Sequence, residues 1–112
     1  MEEQIKRTVS SIIAGSIHDP RVGMVDITAV EVTPDLREAK IYFRTLGDRD
    51  EAASTLEGLR SARGYIQREL GSSLNTKYTP VIKFFPDHSS ERIKRIERVI
   101  KKIRKEEEDR ER

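Results

Sequence analysis

The chain has 112 residues, of which 35% are hydrophobic and 38% charged, with a formal net charge of +2 and no cysteine. That length suits one domain, the missing cysteines exclude disulfides and thiolate metal sites, and no apolar run approaches the roughly 18 residues a membrane-spanning helix needs. Acids at Glu2 and Glu3, where a signal peptide carries bases, make a cytoplasmic location the expectation.

The small net charge is a balance of blocks. Residues 1–88 hold twelve bases against thirteen acids, whereas residues 92–105 hold eight bases against Glu97 alone. Residues 106–112 reverse the sign, with five acids against Arg110 and Arg112. A phosphate partner responds to local charge density more than to the total.

Along the chain, Ile5, Val9, Ile12, Ile13 and Ile17 recur at helical spacing and predict a helix over residues 2–17. It ends before Pro20, which disfavours helical backbone at Asp19. Val25, Ile27 and Ala29 alternate with Asp26 and Thr28, then the alternation slips to Val30 and Val32. This predicts a strand over 25–33 with a bulge near Ala29-Val30. Thr33-Pro34-Asp35-Leu36 reads as a turn. A second strand over 38–46 places Ala39, Ile41, Phe43 and Thr45 on one side and Lys40, Tyr42 and Arg44 on the other, and the short connection implies an antiparallel hairpin.

Asp48 with Glu51 resembles a capping box opening a helix whose buried face is Ala52, Leu56, Leu59 and Ala62. Gly64 then interrupts, and Ile66, Leu70 and Leu74 resume the spacing, so the pattern reads as helix, kink, helix. Pro80 and Pro86 bracket a third strand over 81–85. A last helix begins near Ser89-Ser90, with the seam Ile93, Ile96, Val99, Ile100 and Ile103. Residues from about 106 onward read as disordered by charge alone. The chain thus divides into a domain over 1–105 and a charged tail over 106–112, and its order is α-β-β-α-kink-α-β plus a C-terminal helix, an α+β class.

The inventory for catalysis is thin. His18 and His88 each lie beside an aspartate near a helix boundary, far apart in sequence. Asp87-His88-Ser89 holds triad residue types as neighbours in a row, which rarely orient as nucleophile, base and orienter. A metal site from the two histidines has no motif spacing behind it, and no phosphate-binding or dinucleotide-binding motif occurs. The expectation is a protein that is not an enzyme and uses no cofactor or metal.

Candidate RNA contacts are better represented. Arg60, Arg63 and Arg68 flank the expected kink at Ala62-Arg63-Gly64, where a glycine admits close approach and a new helix start offers N–H groups to a phosphate. The alternative is an interhelical turn with solvated arginines. Lys40, Tyr42 and Arg44 form a basic and aromatic strand face, suited to stacking on a base or, equally, to packing under a helix. Lys77 and Lys83, next to and within the third strand, complete the candidate set. The final helix has three readings: docked on the domain with its bases outward, bound to RNA through those bases, or paired with another copy over a seam of under two heptads. Docking with some RNA contact is preferred.

Several long stretches resemble the ribosome-binding factor A family. They are Ser10-x-Ile12-Ile13, Asp19-Pro20-Arg21-Val22-Gly23, and Val30-Glu31-Val32-Thr33-Pro34-Asp35-Leu36-Arg37-x-Ala39-Lys40-Ile41-Tyr42-Phe43. Leu56-Glu57-Gly58-Leu59-x-Ser61-Ala62-x-Gly64-Tyr65-Ile66, Arg68-Glu69-Leu70, Tyr78-Thr79-Pro80, Phe84 and Asp87-x-Ser89 continue the match, over roughly residues 5–105. The resemblance implies a type II KH-like fold, with helices on one face of a three-stranded sheet and an Ala-x-Gly kink, here Ala62-Arg63-Gly64, in place of a GxxG loop. It also implies binding of a monomer to free 30S subunits and not to 70S ribosomes, and support of 16S rRNA precursor processing in late maturation. The implied means is holding rRNA near its 5′-terminal helix. The acidic run Glu106-Glu107-Glu108-Asp109 has no counterpart that carries a role.

Overall fold

A computed structural model describes the backbone of residues 1–111 and all of their side chains except those of 90–93 and 111. Its elements are α1 (Glu2–Ser16), β1 (Val25–Val32), β2 (Glu38–Thr45), α2 (Arg49–Ser73), β3 (Val81–Pro86) and α3 (Ser89–Glu111). The sheet order is β1-β2-β3, antiparallel between β1 and β2 and parallel between β2 and β3. The parallel pairing follows from α2, which carries the chain back across one face so that β3 starts level with β2. The result is an α+β domain with α1 and α2 on one side of the sheet.

Alternation on the strands decides which side is covered. Ala39, Ile41 and Phe43 of β2 and Ile82 and Phe84 of β3 are buried, with Ile27 and Val30 of β1 beside them. Ile5, Val9 and Ile13 of α1 and Leu59, Ile66 and Leu70 of α2 close the core from above. The opposite sheet face carries Lys40, Tyr42 and Arg44 and has no helix packed over it among the described residues.

Three details differ from the sequence-based expectation. The bulge lies one position earlier, since Ile27 pairs with Phe43 and Ala29 with Tyr42, leaving Thr28 as the extra residue. The helix expected to break at Ala62-Arg63-Gly64 does not break, and α2 runs uninterrupted from Arg49 to Ser73. The physical reason is phase: Ala52, Leu59, Ile66 and Leu70 are all buried, one continuous stripe across Gly64. Gly64 has no positive φ, and a Cβ built on it meets nothing within 4 Å. Gly64→Ala is therefore expected to raise stability by about 0.5–1 kcal/mol, through helix propensity and a less flexible unfolded chain. Urea denaturation checks this, and a loss of stability would mean that the glycine relieves a clash.

The third difference is α3. It continues to Glu111, so the helix takes in residues 106–111. Its described side chains do not dock on the domain. Ile96, Val99, Ile100 and Ile103 are 58%, 53%, 43% and 49% exposed, and no described residue from Lys94 onward is buried. Ile93, the first residue of the expected seam, lies outside the described side chains; the described part of the seam finds no other element to cover it.

Asp48 caps α2, its side chain accepting from the Glu51 N–H at 3.0 Å. Gln67, in the middle of α2, reaches the outer side of β3: its Nε2 donates to the Pro80 carbonyl at 2.9 Å and its Oε1 accepts from the Ile82 N–H at 2.9 Å. On the far side of the sheet, Glu2 of α1 accepts from the Val32 N–H at 3.1 Å.

Candidate nucleic-acid interface

The sequence-predicted contacts fall on two surfaces that the sheet separates. Arg60, Gly64 and Arg68 follow at four-residue spacing along the outer side of α2, with Arg63 beside them, and all four are exposed. Ala62 is half-buried and faces the core edge. Because the helix is unbroken here, the N–H groups of residues 64–67 belong to its own ladder. The expected phosphate pocket at a second helix start does not form. What remains is a row of arginine side chains.

Lys77 stands in the loop after α2, its Nζ 5.4 Å from the centroid of the exposed Tyr78 ring. Lys40, Tyr42, Arg44 and Lys83 lie on the uncovered sheet face. Tyr42 packs on Phe85 of β3 with centroids 5.8 Å apart. Phe85 was missed by the sequence reading, although the alternation from Lys83 assigns it to this face. Two of the three bases here are matched by carboxylates: Arg44 meets Asp26 at 3.0 Å and Lys83 meets Glu38 at 2.9 Å, while Lys40 lies across from Glu31 in the register without an ion pair among the described residues. By contrast Arg60, Arg63, Arg68 and Lys77 form no ion pair with any described residue. On the domain, uncompensated cations are thus concentrated on the α2 side.

A latch tightens the base of this surface. Arg21 donates to Asp19 in a bidentate pair, at 3.0 and 2.6 Å, and to Ser61 Oγ on α2 at 3.1 Å. The Arg21 guanidinium and backbone N–H together hold the Asp19 carboxyl down at a pKa of about 2. Thr55 adds a bond to the Arg21 carbonyl at 3.2 Å. The loop can come this close because α2 has a glycine below it: a Cβ at Gly58 would lie 2.6 Å from Val22 Cγ2 and 3.3 Å from Arg21 Cβ. Gly58→Ala is expected to cost about 1–2 kcal/mol, overpacking outweighing the gain in helix propensity. Adding Val22→Ala should recover part of the loss, a coupling that a double-mutant cycle by thermal denaturation will read.

The third basic surface is α3. Lys94, Arg98, Lys101 and Lys105 follow at helical spacing on the side away from Ile96, Val99, Ile100 and Ile103, and all are exposed. At 23 residues the helix is about 34 Å long. It lies at one end of a molecule measuring 67 × 34 × 17 Å.

The chain as a whole is similar to known proteins. The sequence profile of the family "Ribosome-binding factor A" matches residues 1–100. A protein of that name from Caldanaerobacter subterraneus subsp. tengcongensis is 44% identical over 110 residues, covering 97% of this chain and 90% of the relative. One from Pelobacter propionicus is 43% identical over 103 residues, covering 92% and 84%. Among solved structures, the crystal structure of ribosome-binding factor A from Thermus thermophilus superposes with a TM-score of 0.70 at 22% identity, covering 79% of this chain and 92% of that one. A Thermus thermophilus homology model fitted into a cryo-EM map of a 30S complex superposes with a TM-score of 0.65 at 23% identity, covering 79% and 92%. The chain belongs to the ribosome-binding factor A family.

Proposed function

We propose that this protein binds free 30S ribosomal subunits and assists their late maturation, supporting 16S rRNA precursor processing by holding rRNA near its 5′-terminal helix. The observation that carries this reading is the pairing of family membership with a row of unmatched arginines on α2. A phosphate backbone is the natural partner of cations that no described carboxylate neutralises. Arg60, Arg63, Gly64 and Arg68, with Ala62 shaping the edge and Lys77 at the end, form the principal RNA surface. Lys40, Tyr42, Arg44 and Lys83 form a subsidiary one, where Arg44 and Lys83 must first leave their carboxylates. The basic face of α3 adds phosphate contacts beyond the domain. The KH-like sheet-and-helix frame is the scaffold, and the protein acts as a cytoplasmic monomer and binder, not an enzyme. No step of bond cleavage is assigned to it.

The test is co-sedimentation with purified 30S subunits and with 70S ribosomes at low and high salt. Binding to free small subunits that weakens steeply with salt, and is absent from 70S ribosomes, is the expected outcome. Equal binding to both particles, or binding to neither, would overturn the reading.

A further inference from the structure

The bulge in β1 has a purpose that the fold alone does not require. It extrudes Thr28 from the β1–β2 pairing onto the uncovered sheet face. There the Thr28 hydroxyl donates to Asp87 Oδ2 at 2.6 Å, with the Tyr42 carbonyl oxygen at 3.3 Å. Asp87 is the first of the two residues between β3 and α3, and it is held at three points. Its N–H donates to the Phe43 carbonyl at 2.7 Å, its Oδ1 accepts from the Ser89 N–H at the start of α3 at 2.9 Å, and its Oδ2 takes the bond from Thr28. One carboxylate therefore joins the far strand of the sheet to the first turn of the last helix.

Beyond that turn α3 has no extended contact with any other element among the described residues. Its direction depends on how its first residues are held, and Asp87 holds the Ser89 N–H. We propose that Thr28 and Asp87 are positioning residues: their hydrogen bond sets the direction in which α3 leaves the sheet, and with it the phosphates that Lys94, Arg98, Lys101 and Lys105 reach. The second half of this statement rests on the proposed binding to the small subunit, whereas the first half does not.

Thr28→Val is the discriminating variant. It keeps the shape and the strand preference of the residue and removes the hydroxyl alone. Thr28→Ser restores the hydroxyl. Because the chain has no cysteine, Ala53→Cys on α2 and Arg104→Cys on α3 give a uniquely labelled pair for spin-label distance measurement in the full chain. The parent is expected to show one narrow distance population. In Thr28→Val the fraction held in it, relative to all others, should fall roughly tenfold, the scale of a hydrogen bond to a charged group. Thr28→Ser should behave as the parent. Asp87→Ala, which also removes the bond to Ser89, should broaden the distribution further and serves as a second variant. An unchanged distribution in both Thr28→Val and Asp87→Ala overturns the latch.

Co-sedimentation with 30S subunits is the second arm. A three- to tenfold weaker binding of Thr28→Val, with Thr28→Ser at parental strength, supports the positioning role. Parental binding by a variant whose α3 is measurably freed overturns it. If the parent itself fails to bind small subunits, the proposed function falls, and the distance measurement still decides the latch.

Discussion

Replacing Phe43 by alanine is expected to remove about 3–5 kcal/mol of stability, the largest single loss in the domain. Phe43 is fully buried at the centre of the middle strand. It pairs with Ile27 of β1 on one side and lies level with Pro86 of β3 on the other, and its carbonyl takes the Asp87 N–H. Three strands converge around one ring, so neighbouring backbone has little freedom to collapse into the space left behind. A domain of this size has about 5–15 kcal/mol in total, and the variant should sit near its folding threshold at 37 °C. Urea denaturation gives the measurement: the midpoint falls while the slope stays the same, because the surface exposed on unfolding is nearly unchanged. A loss below about 1 kcal/mol would mean that the helix-facing layer of the sheet is not the core.

The second large effect concerns binding. Arg60→Glu with Arg63→Glu should leave the fold intact, because both side chains are exposed and make no ion pair with any described residue. Affinity for small subunits should fall roughly a hundredfold at low salt, since a charge-assisted bond contributes about 1.5–3 kcal/mol and reversal adds repulsion. The dependence of log affinity on log salt should also flatten, by about 0.7–0.9 for each phosphate that is no longer neutralised. Reversing Lys40 and Lys83 instead should cost less, because Lys83 already has a carboxylate partner and Lys40 faces Glu31 across the strands. Equal losses from the two pairs would refute the ranking of the α2 surface over the sheet surface.

Much of this architecture is legible in the sequence, because apolar spacing is a direct record of burial. Ile5, Val9 and Ile13 on α1, and Ala39, Ile41 and Phe43 on β2, face the core as their periods require. The slip in β1 is visible as a break in alternation, but the alternation cannot say which residue is extruded. The partner strand decides that, and Tyr42 pairs with Ala29 and not with Thr28. Gly64 misleads for a different reason. A glycine signals freedom to bend without saying whether the bend is used, and the stripe from Ala52 through Leu59 and Ile66 to Leu70 keeps one phase across it. The α3 seam misleads more deeply. Ile96, Val99, Ile100 and Ile103 encode a face that excludes water, and nothing in their spacing names what covers it. The candidate site divides in the same way. The residue types were readable, but their distribution over two sides of a sheet, and their pairing with Asp26 and Glu38, are matters of register that only the fold supplies.

A three-stranded sheet has two open edges, and an open edge is an invitation to aggregate, since its unpaired N–H and C=O groups template the strand of another molecule. Gln67 answers this along β3. Its side-chain amide presents to Pro80 and Ile82 the same donor and acceptor that a neighbouring strand would offer. Glu2 does the same more modestly at Val32 on the opposite edge. A second chain cannot add a strand beside β3 without first displacing a side chain anchored in the middle of a 25-residue helix. The helices that close the core thus also guard the edges, and they keep the sheet at three strands.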